Sequence, residues 1–385
     1  MTIKIRGSYL LAAFISVLIV FAAHKIVTGG LSVFQNPSQE IVQARVHRVL
    51  HRVTPLDEAG EIIPLQGDRL LFEAVIRSGA KKGNIVTASQ NLTGFSGITA
   101  KEVSSGDSVI LINFNDGQWF FNGYLRTGRL LILGLLFALC LLIFGGKKGV
   151  NTILSLTLTC AAIFAVFIPA ILSGKNIYVM SLLVCAYTIS MTLIIVIGYN
   201  KKSLTAAIGC ASGVAVTALI SLIMDKVLFL SGIVDEHSRY IASLPVENQI
   251  NLRAIIFAGI IIGAMGAIMD VAISISSSLW EVKEKAPDIG FRTLFRSGIN
   301  IGRDMMGTMA NTLILAYIGS SLSVVLVLSV YSNSLTSLLN SEMIVVEILQ
   351  ALAGSFGILF ALPLTAFFCS LIYLKKRNYH CRNTP

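Results

Sequence analysis

Long apolar runs alternate along the chain with short polar segments rich in Lys and Arg, and one extended stretch near the start changes to strand-like patterning. The apolar runs predict helices over Leu10–His24, Leu130–Phe144, Val150–Leu172, Ile177–Ile197, Leu204–Met224, Ile255–Leu279, Met305–Val330 and Ile344–Leu374. About 20 apolar residues cross roughly 30 Å of hydrocarbon, so the first two are short and need their flanks. Between them, residues 31–125 carry β-prone runs at Val42–Val53, Leu70–Ile76, Asn84–Thr87, Ser108–Phe114 and Gln118–Tyr124. Ser78-Gly79, Lys82-Gly83, Gly106-Asp107 and Asp116-Gly117 supply the turns.

The expected architecture is an α-helical integral membrane protein of about eight transmembrane helices, with a small β-rich, OB-like or barrel-like, extracytoplasmic domain between the first and second. Its parts are an N-terminal membrane anchor (1–30), the β domain (31–125) and a seven-helix membrane domain with a cytoplasmic C-terminus (126–385). Composition agrees: 55% of residues are hydrophobic and 13% charged, with mean hydropathy +0.78, too apolar for a soluble globular chain. The net charge of +10 then reflects loop lysines and arginines in a bilayer, and no nucleic-acid partner is expected.

Placing the N-terminus inside puts Lys4, Arg6, Lys147, Lys148, Lys201, Lys202, Lys283, Lys285, Arg292, Arg296, Arg303, Lys375, Lys376, Arg377 and Arg382 on the cytoplasmic side. The short outer loops then hold only Lys175, Lys226, Arg239 and Arg253, so both termini are expected to be cytoplasmic. Lys4 and Arg6 ahead of an apolar core resemble a signal peptide, but Phe21-Ala22-Ala23-His24 lacks paired small cleavage residues and favours an uncleaved anchor.

The pattern carries little enzyme chemistry. No nucleophile elbow, zinc-protease helix or P-loop occurs, and the chain is not expected to be an enzyme or to hold a cofactor or metal. An enzyme acting on lipid-linked substrates would need a nucleophile and a base, and none can be paired. His47 and His51 are four apart in a stretch that reads as strand. Gly145-Gly146-Lys147-Lys148-Gly149 resembles a phosphate loop only in composition. Cys140, Cys160, Cys185, Cys210 and Cys369 lie in apolar segments and Cys381 in the tail, leaving the β domain without a disulfide framework. Trp119, Phe120, Phe121 and Tyr124 read as strand core rather than a ligand surface.

Asp270 is the exception, a carboxylate well inside an apolar helix. A charge at membrane depth costs several kcal/mol unless it faces protein or water. Gly259, Gly263, Gly266, Asp270, Ser274, Ser277 and Glu281 are spaced by three and four and share one face. Asp304, Gly307, Thr308 and Asn311 form a second such stripe after Gly302-Arg303-Asp304, and Trp280–Ile301 between the two suggests an amphipathic helix at the cytoplasmic interface.

Gly263-Ala264-Met265-Gly266-Ala267-Ile268-Met269-Asp270-Val271-Ala272, continuing to Glu281, together with Ile301-Gly302-Arg303-Asp304-Met305-Met306-Gly307-Thr308-Met309-Ala310-Asn311-Thr312-Leu313, resembles the signature of the YibE/F-like family. That resemblance implies a bacterial multi-pass protein of the plasma membrane and no particular substrate. After Tyr317-Ile318-Gly319-Ser320-Ser321-Leu322 this chain has Ser323 where relatives are expected to carry proline, removing the residue that would fix a kink.

Two roles compete for the stripes. In one, Gly259, Gly263, Gly266 and Gly307 permit close helix packing while Asp270, Ser274, Asp304, Thr308 and Asn311 hydrogen-bond across it. In the other, the chain is a transporter or permease, proton- or cation-coupled, for an unknown small solute or ion. Asp270, Ser274, Ser277, Asp304, Thr308 and Asn311 then serve coupling, and Glu281 with Arg303 forms a cytoplasmic gate. Glu347, near the outer end of the last segment, is a lesser candidate. A third possibility is a non-catalytic membrane scaffold or assembly protein acting through its β domain. Besides the lipid bilayer the sequence names no partner, it leaves the oligomeric state open, and it shows no internal duplication.

Overall fold

The computed structural model describes residues 2–28, 39–53, 68–92, 101–114, 117–244, 249–332 and 334–374, with side chains from residue 12 onward. The predicted tail cluster Lys375, Lys376, Arg377 and Arg382, Cys381, and the turn residue Asp116 lie outside these residues, as do the side chains of Lys4 and Arg6. The chain divides into two units, Phe34–Cys140 and the remainder.

The first unit contains β1 (Glu40–Val53), β2 (Arg69–Ile76), β3 (Ile85–Asn91), β4 (Ser108–Asn113) and β5 (Trp119–Tyr124). They close into a barrel in the order β1-β2-β3-β5-β4. The long β1 makes closure possible, pairing antiparallel with β4 through its first half and with β2 through its second. β3 pairs antiparallel with β2 along its whole length, which carries it to Asn91, beyond the predicted Thr87. β5 runs antiparallel to β4 and parallel to β3. The closing contact is short, since β3 meets β5 only through Ala88 and Ser89.

Alternate residues fill the barrel: Val42, Ala44 and Val46 from β1, Leu70, Phe72, Ala74 and Ile76 from β2, and Val109 and Leu111 from β4. Trp119 is buried with them and Phe121 and Tyr124 pack against the same core, as an aromatic strand used for packing should. The β2–β3 turn depends on Gly83, whose φ of +94° favours glycine and whose amide donates to Ile76 O at 2.9 Å. His47 and His51 lie on β1, so their spacing is not helical.

The second unit is helical. Its elements are α1 (Thr2–Thr28), the later part of α2 (Thr127–Ala162), a π-helical turn (Ile163–Phe167), α3 (Ile168–Leu172), α4 (Ile177–Val196) and α5 (Lys201–Val227). There follow α6 (Glu236–Ala242), α7 (Leu252–Lys285), α8 (Phe291–Ser320), α9 (Leu322–Tyr331), α10 (Leu335–Leu339) and α11 (Glu342–Leu374). Five helical stretches among the described residues are long and apolar enough to cross a membrane: Thr127–Leu172, α4, α5, α7 and α11; α8 with α9 makes a sixth if that bent pair is one span.

This differs from the eight predicted segments for identifiable reasons. Leu130–Phe144 and Val150–Leu172 fall in one stretch, interrupted where Gly146 adopts φ 52°, ψ −126°. A Cβ on Gly149 would lie 2.0 Å from Leu141 O, although residues eight apart in a straight helix are separated by about 12 Å along the axis. The chain therefore turns back sharply at Gly145-Gly146, which accounts for the glycines that resembled a phosphate loop. In α1 the described apolar part, Ala12–Thr28, is short. This helix nevertheless packs specifically: the Ser16 hydroxyl meets that of Tyr187, His24 Nδ1 lies 2.6 Å from Ala165 O in the π-helical turn, and Ser173 Oγ donates to Val27 O at 2.7 Å.

Two boundaries are corrected. Trp280–Ile301 is not a separate amphipathic helix: α7 continues through Trp280 to Lys285, the chain breaks around Pro287, and α8 begins at Phe291. Without a proline, α8 and α9 still meet at a 60° bend. Ser320 and Ser321 both donate to Tyr317 O, at 2.8 and 3.0 Å, and such serine back-bonding competes with the helix ladder and bends it.

α5, α7 and α11 form the centre, α8 packs on α7 and α11, and α4 on α5 and α7. Small residues bring these axes together. A Cβ on Gly209 would sit 2.0 Å from Thr365 Oγ1, one on Gly213 2.7 Å from Ile268 Cγ2, and one on Gly357 2.0 Å from Thr217 Oγ1. Gly298 and Gly302 of α8 are likewise closed off by Ala366 and Leu362 of α11, and Gly354 by Leu313. By contrast Gly259, Gly266 and Gly307, expected to mediate packing, meet nothing within 4 Å, and Gly263 meets only the Tyr317 side chain.

Gly357→Ala is therefore expected to destabilise the protein by about 1–3 kcal/mol, the usual cost of overpacking. Gly266→Ala, with open space around it, is expected to be neutral or slightly stabilising through helix propensity. Thermal melts of the two variants in detergent check the contrast.

Candidate functional site

Central packing makes α7 the most enclosed helix, with Ile260, Ile261, Ala264, Ile268, Val271, Ala272, Ile275 and Leu279 all buried. One stripe escapes. Gly259, Gly263, Gly266 and Asp270 are exposed, Ser274 and Ser277 are half-buried, and Glu281 is exposed again. With α4 packed on one side of α7 and α8 on the other, this stripe lies between them as a shallow groove, with open space beside Gly259 and Gly266.

Among the described residues no hydrogen bond or ion pair reaches Asp270. It lies eighteen residues from the start of α7 and fifteen from its end, about 22–27 Å from either, too far for a carboxylate to reach water at the helix ends. Its side chain is exposed on the stripe between α4 and α8. At the other end of the stripe, Gly259 helps to line a cavity of about 330 Å³ together with Asp235, His237, Glu347 and Gln350. Glu347 also lines a second cavity, of about 210 Å³, with Tyr317 and Ser321 at the α8–α9 bend. Along the stripe between the larger cavity and Asp270 stand only Gly263 and Gly266.

The second predicted stripe is placed differently. α8 runs antiparallel to α7, with Tyr317 over Gly263 and Gly298 against Leu279, which puts Thr308 at the height of Asp270, Asn311 nearer Gly266 and Asp304 nearer Ser274. Height is all that the stripes share. Gly302 packs against Leu362, and at 100° per residue Asp304, Thr308 and Asn311 lie on the opposite side of α8 from it. All three, with Arg303 and Gly307, are exposed, and Thr308 Oγ1 donates only to Met305 O in its own helix, at 2.8 Å. Thr308 and Asn311 therefore do not serve as ligands beside Asp270 within one protomer. Arg303 makes no ion pair among the described residues, with Asp304 or with Glu281, so no closed gate is formed there.

Interhelical hydrogen bonding does occur, at residues that the sequence reading missed. Thr205 of α5, Ser276 of α7 and Tyr373 of α11 join through three hydroxyl contacts of 2.8 Å, and Ser276 Oγ also donates to Lys202 O at 2.7 Å. Trp280 stacks edge-on against Tyr373 with ring centroids 5.1 Å apart, and Lys202 Nζ lies 5.7 Å from the Trp280 ring centre. The cluster ties the three central helices together at one end. Nothing in the spacing of a lone threonine, serine and tyrosine announces it, whereas Gly209 and Gly213, four apart, carry a legible small-residue packing signal.

The chain belongs to the YibE/F-like protein family, whose pattern it matches over residues 133–375. That span contains the whole of α7, the groove and the hydroxyl cluster, and excludes the barrel. No curated protein and no solved structure matches the chain.

Ser276→Ala and Tyr373→Phe are each expected to cost about 1 kcal/mol of stability, by removing one partner from a buried hydroxyl network. Ser274→Ala and Ser277→Ala, half-buried on the groove floor, are expected to change stability by less than about 0.5 kcal/mol. Thermal or denaturant midpoints for the four variants decide between the two serine classes.

Proposed function

We propose that this member of the YibE/F-like family is an integral membrane transporter or permease in which Asp270 picks up and releases a proton or small cation as a solute crosses. In this reading both termini are cytoplasmic, the barrel is extracytoplasmic and OB-like, and the start of α7 lies at the outer face. The observation that carries it is the state of Asp270: it stands on the floor of a groove, without a partner among the described residues, at the middle of the most enclosed helix. A carboxylate kept for packing would be clamped to neighbouring donors, as Ser276 is. One without a fixed counter-charge is penalised as an anion by desolvation, and exchanging a proton or binding a cation relieves that penalty.

Ser274 and Ser277 continue the groove below Asp270, Glu281 marks its cytoplasmic mouth, and the cavity shared by Gly259 and Glu347 forms its outer vestibule. Gly263, under the Tyr317 side chain, is the narrowest point of the floor. Alternating access then requires Tyr317 to move off Gly263, and the serine-bent junction of α8 and α9 is the adjacent place where the helix can yield.

Proteoliposomes loaded with a pH-sensitive dye and given outward gradients of potassium, sodium or ammonium test the reading. The wild-type protein is expected to move protons in response to at least one gradient, and Asp270→Asn to remain monodisperse, with an unchanged melting midpoint, while losing that flux. Normal flux in Asp270→Asn would contradict the proposal.

A further inference from the structure

The outward face of α8 remains unexplained by the groove. Arg303, Asp304, Gly307, Thr308 and Asn311 are all exposed there, with Thr308 level with Asp270 and Asn311 nearer Gly266 at mid-helix depth. An exposed amide at that depth has no hydrogen-bond partner among lipid tails, and the charges of Arg303 and Asp304 follow it on the same face toward the start of α8. Among the described residues nothing in the same protomer covers it, because Gly298, Gly302 and Leu313 commit the opposite face of α8 to α7 and α11.

We propose that a second copy of this chain covers it, with α8 packed against its counterpart about a two-fold axis along the membrane normal. The order of the residues selects this occupant. Such an axis pairs each position with residues of equal height on the partner, so the face must complement itself. Arg303 and Asp304 are adjacent in sequence and of opposite charge, so each arginine meets the other copy's aspartate and two reciprocal ion pairs form. Within one copy the same two residues make no ion pair with each other. One turn further on, Gly307 has no neighbour within 4 Å and lets the two backbones approach. Thr308 and Asn311 then face their own counterparts, and an amide carries both the donor and the acceptor that a self-pairing needs. A lipid headgroup fits this face less well, since its phosphate would meet Asp304 as well as Arg303.

Reconstitution in nanodiscs with mass measurement, combined with disulfide trapping, tests the dimer. The wild-type chain is expected at about twice 41.4 kDa. In a background with Cys140→Ser, Cys160→Ser and Cys381→Ser, Thr308→Cys and Asn311→Cys are expected to cross-link on mild oxidation, and Leu371→Cys, exposed on α11, is not. Arg303→Asp alone and Asp304→Arg alone place like charges across the axis and are expected to shift the protein to the monomer. Their combination restores opposite pairs and is expected to restore the dimer, which a variant that merely misfolds would not do. A monomeric wild type, a dimer trapped at Leu371→Cys but not at α8, or a double exchange as monomeric as the single ones would each overturn the proposal. The dimer stands or falls independently of flux through the Asp270 groove.

Discussion

Close approach of α5, α7 and α11 is the constraint from which the rest of the helical unit follows. Gly209, Gly213 and Gly357 admit side chains or backbone of the facing helices at distances that no Cβ would tolerate. Pressing three apolar helices together buries almost the whole circumference of α7 and leaves one narrow stripe uncovered. That stripe is where the sequence places a carboxylate. Apart from Ser276, which is buried in the hydroxyl cluster, the polar side chains at the middle of α7 lie on that stripe, between α4 and α8.

The two polar stripes, alike in sequence spacing, acquire different surroundings because their helices occupy different layers. α7 is central, so its stripe opens into a groove. α8 is peripheral, packed on one side only, so its stripe faces away from the protomer. A helical period reports which residues share a face, but not what that face meets. Asp270 and Asp304 consequently read as one site in the sequence and separate into two in the structure, one inside the protomer and one on its surface.

Much of the architecture was legible for physical reasons. Two-residue alternation and turn glycines located all five strands of the barrel, and apolar runs located the principal helices. What escaped depended on tertiary contacts. The bend after Ser321 arises from two serines competing for one carbonyl, not from proline, and the sharp reversal at Gly146 is hidden within a continuous helical stretch. The glycines expected to pack, Gly259, Gly266 and Gly307, are the open ones, since the same absence of a side chain serves a tight contact or an empty groove. Thr205, Ser276 and Tyr373 are distant in sequence, and only the fold makes them neighbours.

The proposed role of Asp270 requires its carboxylate to be open to water and unclamped in the folded protein. Reaction of the intact, membrane-embedded chain with a water-soluble carbodiimide and a small amine, mapped by mass spectrometry, measures this directly. The account predicts that Asp270 is modified in the native protein and that small cations slow the reaction. An Asp270 that resists modification until the protein is unfolded, while Asp304 and Glu281 react normally, would contradict it.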